Sequence, residues 1–233
     1  LLLVDAANGF NNLGRMAMLW TVRHRWPKMA RYAFNAYRHF RRLIVRRPGE
    51  PAMILLSEEG VTQGDPLAMA LYGIALLPLI EHLRAEHPRV LQPWYADDLA
   101  AMGVPEDIAD CLIELQAVGP MFGCHPEPEK SWAICPLADE AAGKAAFEER
   151  GLHVNWCRGH RYVGGFVGSV ASRNRWIEPQ VEGWVAAVEA LGKIARRHPQ
   201  SAYAGFTHCL QSQWAYVSRC VPGVSPLLAP VED

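Results

Sequence analysis

Paired C-x-x-C elements, internal repeats and low-complexity tracts are missing from this sequence, and neither a leader peptide nor a long apolar span is expected in it. Its six cysteines, Cys111, Cys124, Cys135, Cys157, Cys209 and Cys220, are scattered along the chain. Cys124-His125 with Cys135, or Cys157 with His160, come nearest to a zinc-ligand set, but the paired spacing of a structural zinc site is not there. Reduced thiols in an intracellular protein are the expectation, with no membrane partner. Overall charge is also missing, since the formal net charge is −1, so the average composition does not point to a nucleic-acid partner. With 50% hydrophobic and 20% charged residues, the 233-residue chain is not disordered and has the apolar material for one or two domains with a real core.

That average conceals a segregation. Residues 21–50 carry nine basic side chains (Arg23, Arg25, Lys28, Arg31, Arg38, Arg41, Arg42, Arg46 and Arg47) against Glu50 alone, a local net charge of +8. Such a stretch suits a polyanion-binding face, and it also suits a solvated helix surface. The aromatic residues interleaved with it, Tyr32, Phe34, Tyr37 and Phe40, are expected in the core rather than as base-stacking platforms.

Periodicity and turn signals give an order of elements. Leu1 to Val4 is the continuous apolar run of a buried strand that ends at Asp5. Helical patterns follow over Leu13 to Arg25, with Met16, Leu19, Trp20 and Arg23 at helical spacing, and over Lys28 to about Phe40. Arg42 to Arg47 and Ala52 to Ser57 flank Pro48-Gly49-Glu50-Pro51 and read as a hairpin. Asp65-Pro66 reads as a cap and first-turn proline opening a helix to about Arg84, with a kink expected at Pro78. Val90 to Tyr95 and Leu99 to Gly103 form a second hairpin, Glu106 to Met121 a helix, Ser131 to Cys135 a strand and Ala138 to Arg150 a helix. Arg161 to Val167 is a third hairpin around Gly164-Gly165, and Pro179 to Arg197 and Ser201 to Arg219 are helical, with a loose proline-rich tail. Successive hairpins without dominant βαβ alternation predict an α+β fold, an antiparallel sheet packed against helices, with a helical C-terminal segment.

Chemistry concentrates at Tyr95-Ala96-Asp97-Asp98, where two carboxylates sit on a hairpin turn. Alone, Asp-Asp is an ordinary solvated turn. Neighbouring residues of a strand point to opposite sides, so only one of the pair should face a site. The third acid, Asp5, ends a different apolar run, and two strands delivering acids from their ends can build a divalent-metal site. Carboxylates brought that close repel, and bound Mg²⁺ is the usual remedy.

Taken in order, these features resemble the palm of reverse transcriptases. Asp5 through Phe10 resembles the first catalytic motif of that family, Gly60 through Pro66 its Gln-Gly motif, and Tyr95-Ala96-Asp97-Asp98 its signature hairpin. Gly123 through Ser131 is similar to the following motif, with Lys130 at the lysine position and Glu127 where asparagine is often found. Tyr162-Val163-Gly164-Gly165 is similar to the turn that grips the primer, and Gln211 to Arg219 takes the place of the helical thumb. The retroelements of the non-LTR and group II intron kinds are the nearest in general look.

The resemblance implies an RNA-directed DNA polymerase with a palm over residues 1–170 and a partial, helical thumb over 171–233. It implies catalytic Asp5, Asp97 and Asp98, two Mg²⁺ ions (Mn²⁺ as substitute) held by these three and the Ala6 carbonyl, and nucleotide contacts from Ala6, Phe10, Gln63, Gly64 and Lys130. Tyr162, Gly164 and Gly165 would bind the primer. The partners implied are an RNA template, a DNA or RNA primer and deoxynucleoside triphosphates. An RNA-templated RNA polymerase and a non-catalytic RNA-binding remnant of a retroelement are the alternatives. Leu1 stands directly inside a strand with no methionine, so the chain is expected to be a piece of a longer protein whose fingers lie upstream, nearly inactive in primer extension by itself.

Overall fold

Leu2, Leu3 and Val4 form a fully buried strand, β1 (Leu2–Val4), because they run through the middle of a sheet. Such a strand has no solvent face, which is why its sequence does not alternate. The chain is described as a computed structural model over residues 1–62 and 64–232. After β1 come α1 (Gly9–Asn12), α2 (Arg15–Arg25), α3 (Pro27–Tyr37), the hairpin of β2 (Arg41–Val45) and β3 (Met53–Ser57), and α4 (Ala68–Glu86). β4 (Trp94–Tyr95) and β5 (Asp98–Ala101) precede α5 (Pro105–Val118), β6 (Trp132–Ile134), α6 (Glu140–Glu148) and β7 (Asn155–Cys157).

The sheet order is β4-β5-β1-β6-β7. β1 pairs antiparallel with β5 through Leu2↔Ala101, Leu3↔Ala100 and Val4↔Leu99, and with β6 through Leu2↔Ala133 and Leu3↔Trp132. The fold is α+β as expected, but the five-stranded sheet is mixed rather than wholly antiparallel. Its fifth strand enters through Asn155, whose N–H donates to the Ser131 carbonyl at 2.9 Å. The run from Val90 to Tyr95 yields only the two-residue β4 and a bridge from Leu91 to Met102. Pro93 has no N–H to donate, and Gln92 is buried with its side-chain amide on the Leu83 carbonyl at 3.2 Å, so the ladder breaks between them.

Two compact units divide the chain, Leu1–Ala133 with Ala138–Asn155, and Ile134–Leu137 with the residues from Trp156 onward. In the first, α2 buries Arg15, Met18, Thr21 and Val22, while Met16 and Trp20 stand in solvent, so the inward face is not the one its apolar spacing suggested. The reason is Arg15, a buried cation whose Nε donates to the Gly60 carbonyl at 2.9 Å, Nη1 to the Ser57 carbonyl at 2.8 Å and Nη2 to Ser57 Oγ at 2.9 Å. Satisfying a buried guanidinium fixes the helix rotation. Tyr37 is buried as expected, whereas Tyr32, Phe34 and Phe40 are exposed, against the core expectation. α4 is long and apolar enough by length and composition to cross a membrane, but Leu71, Tyr72, Leu76, Leu79 and Leu83 are all buried, and it is a core helix of this unit.

Gly60 takes φ +78°, and a Cβ there would lie 2.4 Å from the Phe10 carbonyl oxygen and 2.5 Å from that of Asn11. The chain is pinned at this crossing, with Gly60 N–H donating to Leu13 O at 2.9 Å and Val61 N–H to Phe10 O at 2.8 Å. Gly60→Ala is therefore expected to destabilise the fold by about 3 kcal/mol or more in urea unfolding, through left-handed strain and backbone overlap together. A cost near zero would mean the crossing can open without penalty.

The second unit contains β8 (Gly159–Tyr162) and β9 (Gly165–Gly168), then α7 (Val170–Ala195), α8 (Pro199–Gly205), α9 (Gln211–Cys220) and α10 (Ser225–Glu232). The boundary expected at residue 170 falls inside this unit, because Phe166 of β9 packs into one apolar core with Ile177, Val181, Trp184, Trp214 and Val217. α7 starts at Val170 rather than Pro179, with Ser169 Oγ accepting from the Ser172 N–H at 3.2 Å. The tail is not loose: it folds as α10 and places Leu228, 1% exposed, in that core.

Candidate functional site

Register, rather than proximity in sequence, brings the acids together. Val4 pairs with Leu99 and Tyr95 with Asp98, so the next residue of β1, Asp5, comes level with Asp98 at the start of β5. Ala96 and Asp97 form the two-residue connection, and Ala96 takes φ +53°, a left-handed value that few non-glycine residues adopt. Asp97 therefore stands outside the ladder. Asp5, Ala6, Ala7, Asn8, Gly9, Phe10, Asn11, Asp97, Glu127 and Lys130 line one cavity of about 350 Å³. Asp98 is exposed beside it and is not part of the lining, in keeping with the alternation of the pleat.

A second segment is stitched along the first. Ala7 N–H donates to His125 O at 2.9 Å, Glu127 N–H to Asp5 O at 2.8 Å and Asp5 N–H to Ser131 Oγ at 3.3 Å. These bonds deliver the Glu127 carboxylate and the Lys130 ammonium to the cavity wall, where the two pair at 2.6 Å. Glu127, which in the sequence is only a departure from asparagine, is another acid of this cavity.

Burial, followed by the charges of Glu127 and Asp97, pushes the Asp5 carboxyl above the ordinary carboxylate range, with Lys130 pulling the other way. Although Asp98 is largely exposed, the partial desolvation of its carboxyl, followed by the charges of Asp97 and Asp5, acts in the same direction. The hydrogen bond to Glu127 raises Lys130. A carboxyl raised in the folded state binds its proton more tightly folded than unfolded, so it lowers stability once pH has risen through its folded pKa and relieves that cost as pH falls. Asp98→Asn is expected to raise the melting temperature at pH 7, with the gain shrinking as pH falls toward the ordinary carboxyl value of 3.8. A lower melting temperature at pH 7 would mean that Asp98 is held by partners that favour its charge.

Phe10 is half-buried on α1 and stacks on Tyr72 of α4, with ring centroids 4.7 Å apart and planes at 23°. Gly64 is exposed with φ +93° and lies outside the lining, so the structure does not bring it to the acids. Gln63 lies outside the described residues. Tyr162, Gly164 and Gly165 belong to the second unit, where Val163 (φ +46°) and Gly164 (φ +75°) form the left-handed pair of a tight hairpin turn. The Tyr216 hydroxyl of α9 donates to the Val163 carbonyl and fastens that turn.

Among the described residues no group of three His, Cys, Asp and Glu side chains converges into a ready-made metal cage. Asp5, Asp97 and Glu127 nevertheless line one cavity with carboxylate oxygens, the donor type that a hard divalent cation takes. The cysteine nearest this chemistry does not fit a thiolate site, since burial and then Asp97 push the Cys124 thiol up to about 11. All nine basic residues between 21 and 50 are exposed, with Arg25 paired to Glu81 and Arg47 to Glu50 at 3.8 Å. No protein-family model matches the chain, and no curated protein matches it.

Proposed function

We propose that this chain is the palm and partial thumb of an RNA-directed DNA polymerase, which adds deoxynucleotides to a primer 3′-hydroxyl on an RNA template. The observation that carries the reading is one cavity lined jointly by Asp5, Ala6, Phe10, Asp97 and Lys130, residues named from separate motifs of the sequence. In the reaction the primer 3′-hydroxyl gives up its proton to solvent, its oxygen forms a bond to the α-phosphorus, the bond from the α-phosphorus to the bridging oxygen breaks, and pyrophosphate leaves. Asp5 and Asp97, with the Ala6 carbonyl, would hold two Mg²⁺ ions, or Mn²⁺ in their place. When bound, such ions stabilise the attacking and leaving oxygens. Asp98 tunes the charge of the pair from the flank. Phe10 bounds the sugar by volume, and Gln63 is proposed to complete the nucleotide contacts. Lys130 is poised to exchange Glu127 for the departing pyrophosphate, to which it can give charge or a proton. Tyr162, Gly164 and Gly165 are proposed to hold the primer backbone, and the exposed basic stretch the template.

Thermal unfolding of the chain tests the reading without requiring turnover. Mg²⁺ with a deoxynucleoside triphosphate, at about 100 times its dissociation constant, is expected to stabilise by about 2.7 kcal/mol. For a unit of this size that is a rise of roughly 5 to 10 °C. Asp5→Asn should remove the shift. No shift with Mg²⁺ or Mn²⁺ and nucleotide, or an undiminished shift in Asp5→Asn, would overturn the assignment.

A further inference from the structure

Tyr72 stands outside every motif singled out in the sequence. It lies 1% exposed on α4, directly under the ring of Phe10. Its hydroxyl is buried with no hydrogen-bond partner among the described residues. Burial raises that hydroxyl well above the usual tyrosine range, with the charges of Cys124 and Asp97 adding to it, so it stays protonated. The oxygen is pressed against Gly9, where a Cβ would lie 2.7 Å from Tyr72 Oη and 2.8 Å from the Asp97 Cβ. Gly9, Phe10, Tyr72 and Asp97 thus meet with no room for one added methyl. A buried hydroxyl without a partner costs free energy, and a phenylalanine would fill the same ring position without that cost. The feature the site uses is the flat ring as a rigid floor for Phe10.

We propose that Tyr72 is a positioning residue that sets the size of the sugar pocket by holding the Phe10 ring at its height. The proposal rests on the reading of Phe10 as the wall of a nucleotide-sugar pocket. Phe10 by itself is half-exposed and has a free face toward the cavity. A side chain bounded on one side is as rigid as what stands behind it, and interdigitated rings transmit displacement because neither can compress. Without the Tyr72 ring, Phe10 can sink toward α4 and admit the extra oxygen of a ribose, even though Phe10 itself is unchanged.

Binding of a deoxynucleoside triphosphate and its ribonucleotide counterpart to the whole chain, with Mg²⁺, measured by titration calorimetry, provides the test. The wild-type chain is expected to favour the deoxynucleotide by roughly 5-fold to 150-fold, the range a refused oxygen commands. Tyr72→Leu should lose most of this ratio, by about as much as Phe10→Ala, and the double variant should lose no more than either single one. Tyr72→Phe should restore it, since it returns the ring. Leu112→Ala, a truncation of a buried residue of α5, should lower stability without moving the ratio. Tyr72→Met serves as the second truncation should Tyr72→Leu fail to fold. A full ratio in both truncations, or additive losses in the double variant, would overturn the proposal while leaving the nucleotide site intact. Absence of nucleotide binding by the wild-type chain would overturn the underlying reading, and this proposal with it.

Discussion

Asp97→Asn is expected to lower kcat/KM for deoxynucleotide incorporation by about 10³-fold or more, in an extension-competent protein that contains this chain, because it removes an anionic ligand from the charge-bearing centre. The same substitution should leave RNA affinity nearly unchanged. Template binding is proposed for the nine exposed basic residues of positions 21–50, none of which lines the Asp5–Asp97 cavity. Fluorescence anisotropy with a labelled RNA, repeated across salt concentrations, separates the two functions, and an unchanged salt slope is the expected result. Parallel loss of RNA binding and of the unfolding transition would instead make Asp97 a structural residue of the β4–β5 turn.

Phe10→Ala is the second large effect. Refusing a ribose 2′-oxygen by overpacking is worth about 1 to 3 kcal/mol, or roughly 5-fold to 150-fold in relative kcat/KM for deoxy- over ribonucleotides. The variant should lose that discrimination while keeping deoxynucleotide use. Its stability cost should fall below the about 3 to 5 kcal/mol of a fully buried phenylalanine, because the ring is half-exposed and touches Tyr72 on one side. Paired steady-state kinetics and urea unfolding decide the matter. An unchanged ratio with a full core-sized loss of stability would take Phe10 out of the site and favour an RNA polymerase over a DNA polymerase.

Much of the arrangement was legible because it depends on local rules. Leu1 to Val4 reads as a buried strand and Pro48-Gly49-Glu50-Pro51 as a hairpin, and both form, whereas the tight turn read at Gly164-Gly165 forms one residue earlier, at Val163-Gly164. The convergence of Asp5 with Asp97 followed from acids placed at strand ends, which antiparallel register then brings level. What the residues did not announce depends on partners distant in the chain. Arg15 reads as one more basic residue of a helix, and only its bonds to Ser57 and Gly60 make it the buried side chain that turns α2. Tyr72 reads as one aromatic in an apolar helix until Phe10 is found against it. Glu127 reads as a departure from a motif until Glu127 N–H is seen on the Asp5 carbonyl. β7 is three residues long with no periodicity, and the tail folds as α10 in spite of Pro230 within it: Pro226 falls in the first turn, where a missing N–H costs nothing, and Leu228 is held in the core.

Electron paramagnetic resonance of Mn²⁺ titrated into the chain with a deoxynucleoside triphosphate decides whether Asp5 and Asp97 hold divalent cations together, as proposed. Two bound ions are predicted for the wild-type chain, with loss of tight binding in both Asp5→Asn and Asp97→Asn and retention in a distant charge variant such as Asp110→Asn. Equal Mn²⁺ binding in the wild-type chain and in both cavity variants would rule out a cation site at these two acids.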